Sequence, residues 1–325
     1  MYLIIAIASY LLNAGVYVAD KFLLSKKVHS SIVYAFYVGI WSIGNFVLLF
    51  IDPFIPNWTQ FAYDISAGLL FLFTLVFWYK ALHQSEATRV VPIVGALTPV
   101  FSFLFSFVFL GATLSLREGV AFIVLIAGGL LISIKRTRAH MIGEVVERFK
   151  TIWGNALGGI KAELRPTRRL LINSIISAAC FAAYYVFIKY IYSHAGQPFI
   201  GAFVWSRLGS FIGVLGILLI PKWRRLIRDS KTTENRTPGQ LIFFLAVRLA
   251  AAIAFIMLNW AVSLSSNVAL INALQGTQYA FLLFIVVVLS RKYPKIIVEE
   301  IGSGVMMQKL IGIVMIGLGL YLLVL

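Results

Sequence analysis

Apolar residues occupy this chain in ten long blocks separated by polar breaks. They cover Tyr2–Ala19, Ser31–Ile51, Ile65–Leu82, Val90–Leu110, Gly119–Ile134, Leu170–Ile191, Phe199–Ile220, Leu241–Leu264, Val268–Leu289 and Leu310–Leu325. A helix needs about 20 apolar residues to cross the hydrocarbon core of a bilayer. The pattern therefore predicts an all-α integral membrane protein with ten transmembrane helices. Aromatic residues stand at several block ends, as expected at a membrane interface: Trp58, Phe61, Tyr190, Tyr192, Trp223 and Tyr293. No basic residues precede the first block, which reads as a retained helix rather than a signal peptide.

Two connections are long. The segment 135–169 is basic, and within it Met141–Leu157 interleaves Ile142, Val145, Val146, Phe149, Ile152 and Trp153 with charges. That spacing suits an interfacial helix lying on an anionic membrane face, with a disordered basic linker as the alternative. The second, Pro221–Gln240, is polar and reads as flexible.

Composition strengthens the membrane reading. Of the 325 residues 61% are hydrophobic and 12% charged, against about 25% charged in soluble proteins. Mean hydropathy is +0.93. A soluble fold of this size could not bury so much apolar surface. The single cysteine, Cys180, excludes an intrachain disulfide and a multi-cysteine zinc site.

The net charge of +16 would suggest nucleic acid in a soluble protein. Here the cations sit between apolar blocks and read as topology signals; no nucleic-acid partner is expected. Nearly all lie in the odd-numbered connections, whereas the even ones hold only Arg117 and Lys189, and Arg207 and Arg248 fall inside blocks. The positive-inside rule then places the odd connections in the cytoplasm and both termini outside.

The chain also repeats itself. Ala81–Phe101 reads ALHQSEATRVVPIVGALTPVF and Ala261–Phe281 reads AVSLSSNVALINALQGTQYAF, aligning Ala81 with Ala261, Ser85 with Ser265 and Phe101 with Phe281. Tyr17 and Lys21 align with Tyr185 and Lys189. Two halves of five helices follow: 1–134 as the first repeat, 135–169 as the linker and 170–325 as the second repeat. Five is odd, so the halves must insert with opposite orientation, the inverted-repeat architecture of many secondary transporters.

On these residues the chain resembles EamA-type members of the drug/metabolite transporter superfamily. The most specific stretch is Pro92–Ser133, where Pro92, Pro99, Leu110-Gly111, Leu114-Ser115 and Gly128-Gly129 match the family pattern. One departure is Ala112, where the family usually carries Glu after the turn glycine; Glu118 lies nearby but is not equivalent. The resemblance implies export of metabolites such as amino acids. It also implies cytoplasmic termini, in conflict with the charge count. Small multidrug relatives use a central Glu in the first helix, which this chain lacks.

Polar groups inside the blocks are the candidates for function, because they are costly in lipid. Arg248, Ala252, Phe255 and Asn259 share one face of the eighth block. The arginine fork could hold a carboxylate or phosphate, or snorkel to the nearby face. Asn272, Gln275, Gln278 and Tyr279 form the densest polar patch in any block. The alternative for these amides is interhelical hydrogen bonding. Tyr10, Asn13, Tyr17 and Asp20 line the first block, and Asn173, Ser177, Cys180 and Tyr184 the sixth. Trp78, Tyr184 and Trp260 offer rings on which a solute could stack. The substrate-binding candidates are thus Asn13, Tyr17, Trp78, Tyr184, Arg248, Asn259, Trp260, Asn272, Gln275 and Gln278. Lys21 and Lys189, repeat-equivalent, are candidate gates at opposite mouths. Pro92 and Pro99 would kink the fourth helix beside them.

Catalysis is not expected. His29, His83, His140 and His194 lack ligand spacing, and no hydrolase, metalloprotease or nucleotide-binding motif is present. Neither cofactor nor metal is implied. The expected function is secondary transport of a small polar or amphipathic, amino-acid-like metabolite by alternating access across a plasma or inner membrane. The alternatives are a lipid-carrier flippase and a non-transporting membrane scaffold. The expected partners are the solute, membrane lipids and, through the glycine faces, a second copy of the chain.

Overall fold

A computed structural model describes residues 1–23, 31–84, 87–133, 165–230, 238–292 and 303–324. No strand occurs among them. The helices are α1 (Tyr2–Leu23), α2 (Ser31–Trp41, running into a 3-10 stretch Ser42–Phe50), α3 (Trp58–Gln84), α4 (Ala87–Leu110), α5 (Leu116–Ser133), α6 (Arg165–His194), α7 (Phe199–Leu219), α8 (Pro221–Ser230), α9 (Pro238–Leu264), α10 (Val268–Ala273), α11 (Gln275–Lys292) and α12 (Ser303–Val324). The interfacial helix expected over Met141–Leu157 lies outside the described residues.

Eight segments are long and apolar enough to cross a membrane, and a shorter apolar one covers Ala35–Phe50. The described residues are therefore all-helical in their regular structure, with the features of an integral, multi-pass membrane protein. Helix α5 opens on Arg117 and Glu118 and is apolar beyond them. Large apolar side chains such as Phe73, Phe107, Phe109 and Phe284 face outward, as expected where lipid replaces water.

Local chemistry sets the helix ends. Asn57 and Gln60 cap α3 reciprocally, each side chain accepting from the other's backbone N–H at 2.9 Å. Ser115 and Glu118 do the same for α5. Each pair satisfies amide groups that a helix start leaves open. Gly111, with φ +63°, ends α4 in the left-handed conformation that glycine tolerates best. The switch to 3-10 geometry after Trp41 also has a cause. Asn45 Nδ2 donates to the Ser42 carbonyl at 2.9 Å, and the Ser42 hydroxyl donates to the carbonyls of Gly39 and Arg207. Such local side-chain bonds compete with the α-helical ladder.

Contacts between connections define two ends of the bundle. At one end Gln60 Nε2 reaches the Ala195 carbonyl and Trp205 Nε1 the Phe54 carbonyl. We call this the N-terminal end, since α1 starts there. At the opposite end Gln308 Nε2 bonds the Leu131 carbonyl, and α8 packs on α2. The segment Pro221–Ser230, expected to be flexible, is a helix. Trp223 and Ile227, one turn apart, turn inward while Lys222, Arg224, Arg225 and Arg228 are exposed.

The closest packing uses missing side chains. A Cβ on Gly128 would lie 2.9 Å from the Gly312 carbonyl, and one on Gly129 would lie 3.0 Å from the Gly276 Cα. The glycine faces thus join α5 to α12 and α11 within one chain. A Cβ on Gly209 would press into the backbone of α3 at Ile65, and one on Gly68 into α7 at Ser206 and Gly209. The further main pairings are α1 with α9 and α11, α6 with α3 and α4, and α4 with α10.

Candidate functional site

Arg207 lies mid-way along α7 and is 2% exposed. Its guanidinium stands 4.3 Å from the Phe71 ring centre on α3, 5.1 Å from Phe255 on α9, 5.4 Å from Phe203 on α7 and 5.5 Å from Tyr184 on α6. Four helices therefore meet around one cation. Its Nη2 donates to the Tyr184 hydroxyl at 2.8 Å and contacts the Ser206 hydroxyl at 3.5 Å. The Tyr184 hydroxyl in turn donates to Asn259 Oδ1 at 3.1 Å, and Asn259 Nδ2 donates to the Phe255 carbonyl.

Rings and hydroxyls repay part of the cost of burying this charge. None of these partners is negative, and the guanidinium Nε makes no hydrogen bond. A buried cation without a counter-charge is expensive, typically several kcal/mol. The arrangement can thus accept an anionic group, and the planar fork fits a carboxylate.

A second polar cluster joins α4 to α10 and α11. Asn272 Nδ2 donates to Ser102 Oγ at 2.7 Å. Gln278 is buried with Nε2 unpartnered. The Tyr10 hydroxyl on α1 bonds the Ile271 carbonyl at 3.0 Å. Beside this cluster a narrow cavity is lined by Gly95, Ala96, Gly129, Ala273, Gly276 and Tyr279. Tyr279 takes the space that Gly95 leaves.

The structure brings some sequence candidates together and leaves others apart. Tyr184 and Asn259 join the Arg207 cluster, while Asn272, Gln275 and Gln278 sit at the second one. Asn13 is half-buried on α1; Tyr17, further along it, is more exposed and within electrostatic reach of Tyr10, Tyr185 and Tyr279. Trp78 packs edge-on against Phe181 at 5.9 Å, away from Arg207. Trp260, one residue past Asn259, faces the other side of α9 and is 43% exposed. Arg248 is half-buried, about two turns of helix before Phe255 and three before Asn259, nearer the opposite end. Lys189 Nζ donates to the Ser263 carbonyl at 2.9 Å at the N-terminal end, tying α6 to α9. Pro99 is buried in α4. The side chains of Lys21 and Pro92 lie outside the described ones; α1 carries Lys21 to the end opposite Lys189.

In the sequence Arg207 stands out only as a cation inside an apolar block. Position along the block gave little signal, since Arg207 lies eight residues into its block and Arg248 seven residues into its own. Among the described residues no cluster of three His, Cys, Asp or Glu side chains could hold a metal.

Residues 1–134 match the model of the EamA-like transporter family, which belongs to the drug/metabolite transporter superfamily. A crystal structure of a protein superposes with a TM-score of 0.65 over 99% of this chain and 95% of that one, at 15% identity. At that identity the likeness is one of fold. No curated protein matches the chain.

Proposed function

From an EamA-like first half and a centrally buried cation, we infer that this chain is a secondary transporter for a small, amino-acid-like metabolite bearing a carboxylate. The observation that carries the reading is Arg207, buried among four rings with no negative partner among the described residues. A solute carboxylate would supply the missing charge. Tyr184 and Asn259 would orient the solute, and the ring faces would accept its apolar part. The amides at Asn272, Gln275 and Gln278 offer a neutral second contact.

The ten apolar blocks form two inverted five-helix halves in this reading, with boundaries at 1–134 and 170–325. The helix pairings support it. The pair α1–α9 exchanges with α6–α3, and α1–α11 with α6–α4. Under the same exchange α4 maps onto the segment containing α10, and α5 onto α12. Two pairings break the rule. Helix α5 packs on α11, but its counterpart α12 does not pack closely on α4 among the described residues. Helix α7 is clamped on α3 through Gly68 and Gly209, but α9, the counterpart of α3, does not pack closely on α2, the counterpart of α7, among the described residues. In the early part of α9 Ile242, Phe243, Leu245 and Leu249 are correspondingly exposed. An alternating-access transporter shut at its N-terminal end and parted at the other would look this way.

The test is counterflow in proteoliposomes. A panel of radiolabelled amino acids, hydroxy acids, sugar phosphates and cationic drugs is offered to vesicles preloaded with the same unlabelled solute. Counterflow of a carboxylate class, lost in Arg207→Gln, supports the assignment. Absence of counterflow for every solute, in protein shown to be folded, overturns it in favour of a lipid-carrier flippase or a scaffold.

A further inference from the structure

Asp64 is the one carboxyl group among the described residues that is wholly buried. It lies in the second turn of α3, one residue before Ile65 and one turn before Gly68, the two residues that touch Gly209 of α7. Its Oδ1 accepts a hydrogen bond from Gln197 Nε2 at 3.4 Å. Its Oδ2 has no partner, and neither has Gln197 Oε1. Gln197 is 7% exposed and sits in the connection that leads into α7. The carboxyl is therefore enclosed by the joint that shuts the N-terminal mouth.

The ionisable neighbours do not neutralise it. Tyr192, on α6, has an unpartnered hydroxyl and stands within electrostatic reach of both Asp64 and Arg207. Arg207, on α7, spends its hydrogen bonds on Tyr184 and Ser206. On α6, Lys189 bonds the Ser263 carbonyl and His194 stacks on Tyr190, so neither is ion-paired with Asp64. An ionised carboxylate here would be a bare buried charge facing a second unsatisfied acceptor. A protonated carboxyl supplies the missing donor: it can donate to Gln197 Oε1 while accepting from Nε2, the complementary pairing of an acid and a primary amide.

We propose that Asp64 is a proton-binding site that controls this mouth: the α3–α7 joint closes with Asp64 protonated and opens with Asp64 ionised. Parting α3 from α7 hydrates the carboxyl, which gives its proton to water on the N-terminal side. Reclosing takes one proton back from the same side. The closed joint thus binds a proton that the open joint releases. Lowering the pH on that side adds closed molecules and raising it adds open ones, by about tenfold in the closed-to-open ratio per pH unit between the two affinities. The consequence for transport rests on the alternating-access reading above, but the proton site can be measured without any solute.

The experiment uses full-length protein in proteoliposomes, with Cys180→Ala as background and Ala202→Cys as the reporter. Ala202 is fully buried in the first turn of α7. Alkylation by a membrane-impermeant maleimide is followed from pH 5 to pH 9. Rates are read relative to the same reporter carrying Asp64→Asn, which cancels the titration of the thiol. The proposal predicts a ratio that rises about tenfold per pH unit through the transition. Asp64→Glu should keep a pH dependence. Infrared spectroscopy should show a protonated carboxyl at neutral pH that Asp64→Asn removes and Asp52→Asn leaves in place. A pH-independent ratio, or no protonated carboxyl at neutral pH, overturns the proposal. Should Asp64→Asn not fold, the infrared band of the wild type and the Asp64→Glu profile decide. Failure of counterflow in the wild type would instead count against the transport reading and leave the proton result standing on its own.

Discussion

The Ser210 hydroxyl donates to the Gly68 carbonyl at 2.9 Å, so α7 is hydrogen-bonded to the backbone of α3 where no side chain separates them. Small residues permit this approach on both sides, Gly68 on α3 and Gly209 on α7. Within lipid such close backbone packing is a main source of helix association. In the proposed transport reading this joint is what shuts one end of the bundle.

Gly68→Val should wedge this joint apart. The added side chain meets backbone rather than a flexible side-chain end, so relief requires α3 to move. Overpacking of this kind costs about 1–3 kcal/mol. Thermal unfolding in detergent should show the loss. Alkylation of a reporter thiol on α7 should become faster from the N-terminal side. Unchanged melting and unchanged accessibility would mean that the two helices are not clamped there.

Tyr184→Phe keeps the ring but removes the hydroxyl that links Arg207 to Asn259. Both groups are buried, and each would lose a hydrogen bond. The expected cost is about 1–3 kcal/mol in stability, seen as a lower melting temperature. A neutral result would show that the two polar side chains re-pair without the tyrosine.

How far this core could be read from the chain alone depends on the element. The apolar blocks were legible because lipid leaves little choice: a run of about 20 apolar residues must be helical when no water can satisfy its backbone. The ends were less legible. The third block was read from Ile65, which puts Asp64 at a helix end. The Asn57–Gln60 cap in fact starts α3 at Trp58 and carries Asp64 into the second turn. Helix α8 was read as a flexible polar connection, although Trp223 and Ile227 stand one turn apart among the cations of an interfacial helix. The uniform second block hid its 3-10 stretch, which depends on Ser42 and Asn45 bonding to nearby carbonyls. At the candidate site, Tyr184 and Asn259 followed from helical spacing. Their union with Arg207 did not, because it needs the register of α6, α7 and α9, which no local pattern fixes.

The Asn272–Ser102 bond, 2.7 Å long, ties α10 to α4. A double-mutant cycle with Asn272→Ala and Ser102→Ala should give a coupling of about 0.6 kcal/mol, the average for polar contacts between membrane helices. Thermal or denaturant unfolding in mild detergent measures it. Additive single effects would mean that the two side chains are not coupled and that the amide is free to serve solute.

The central claim is that Arg207 receives a carboxylate. It is tested most directly by thermal shift of purified protein with amino acids, their methyl esters and the matching decarboxylated amines. A ligand at 100 times its dissociation constant stabilises the folded state by about 2.7 kcal/mol. The account predicts stabilisation by an acid and none by its ester or amine. It also predicts loss of the effect in Arg207→Lys, whose point charge cannot make the two-pronged contact. Equal stabilisation by ester or amine, or an undiminished shift in Arg207→Lys, would contradict it.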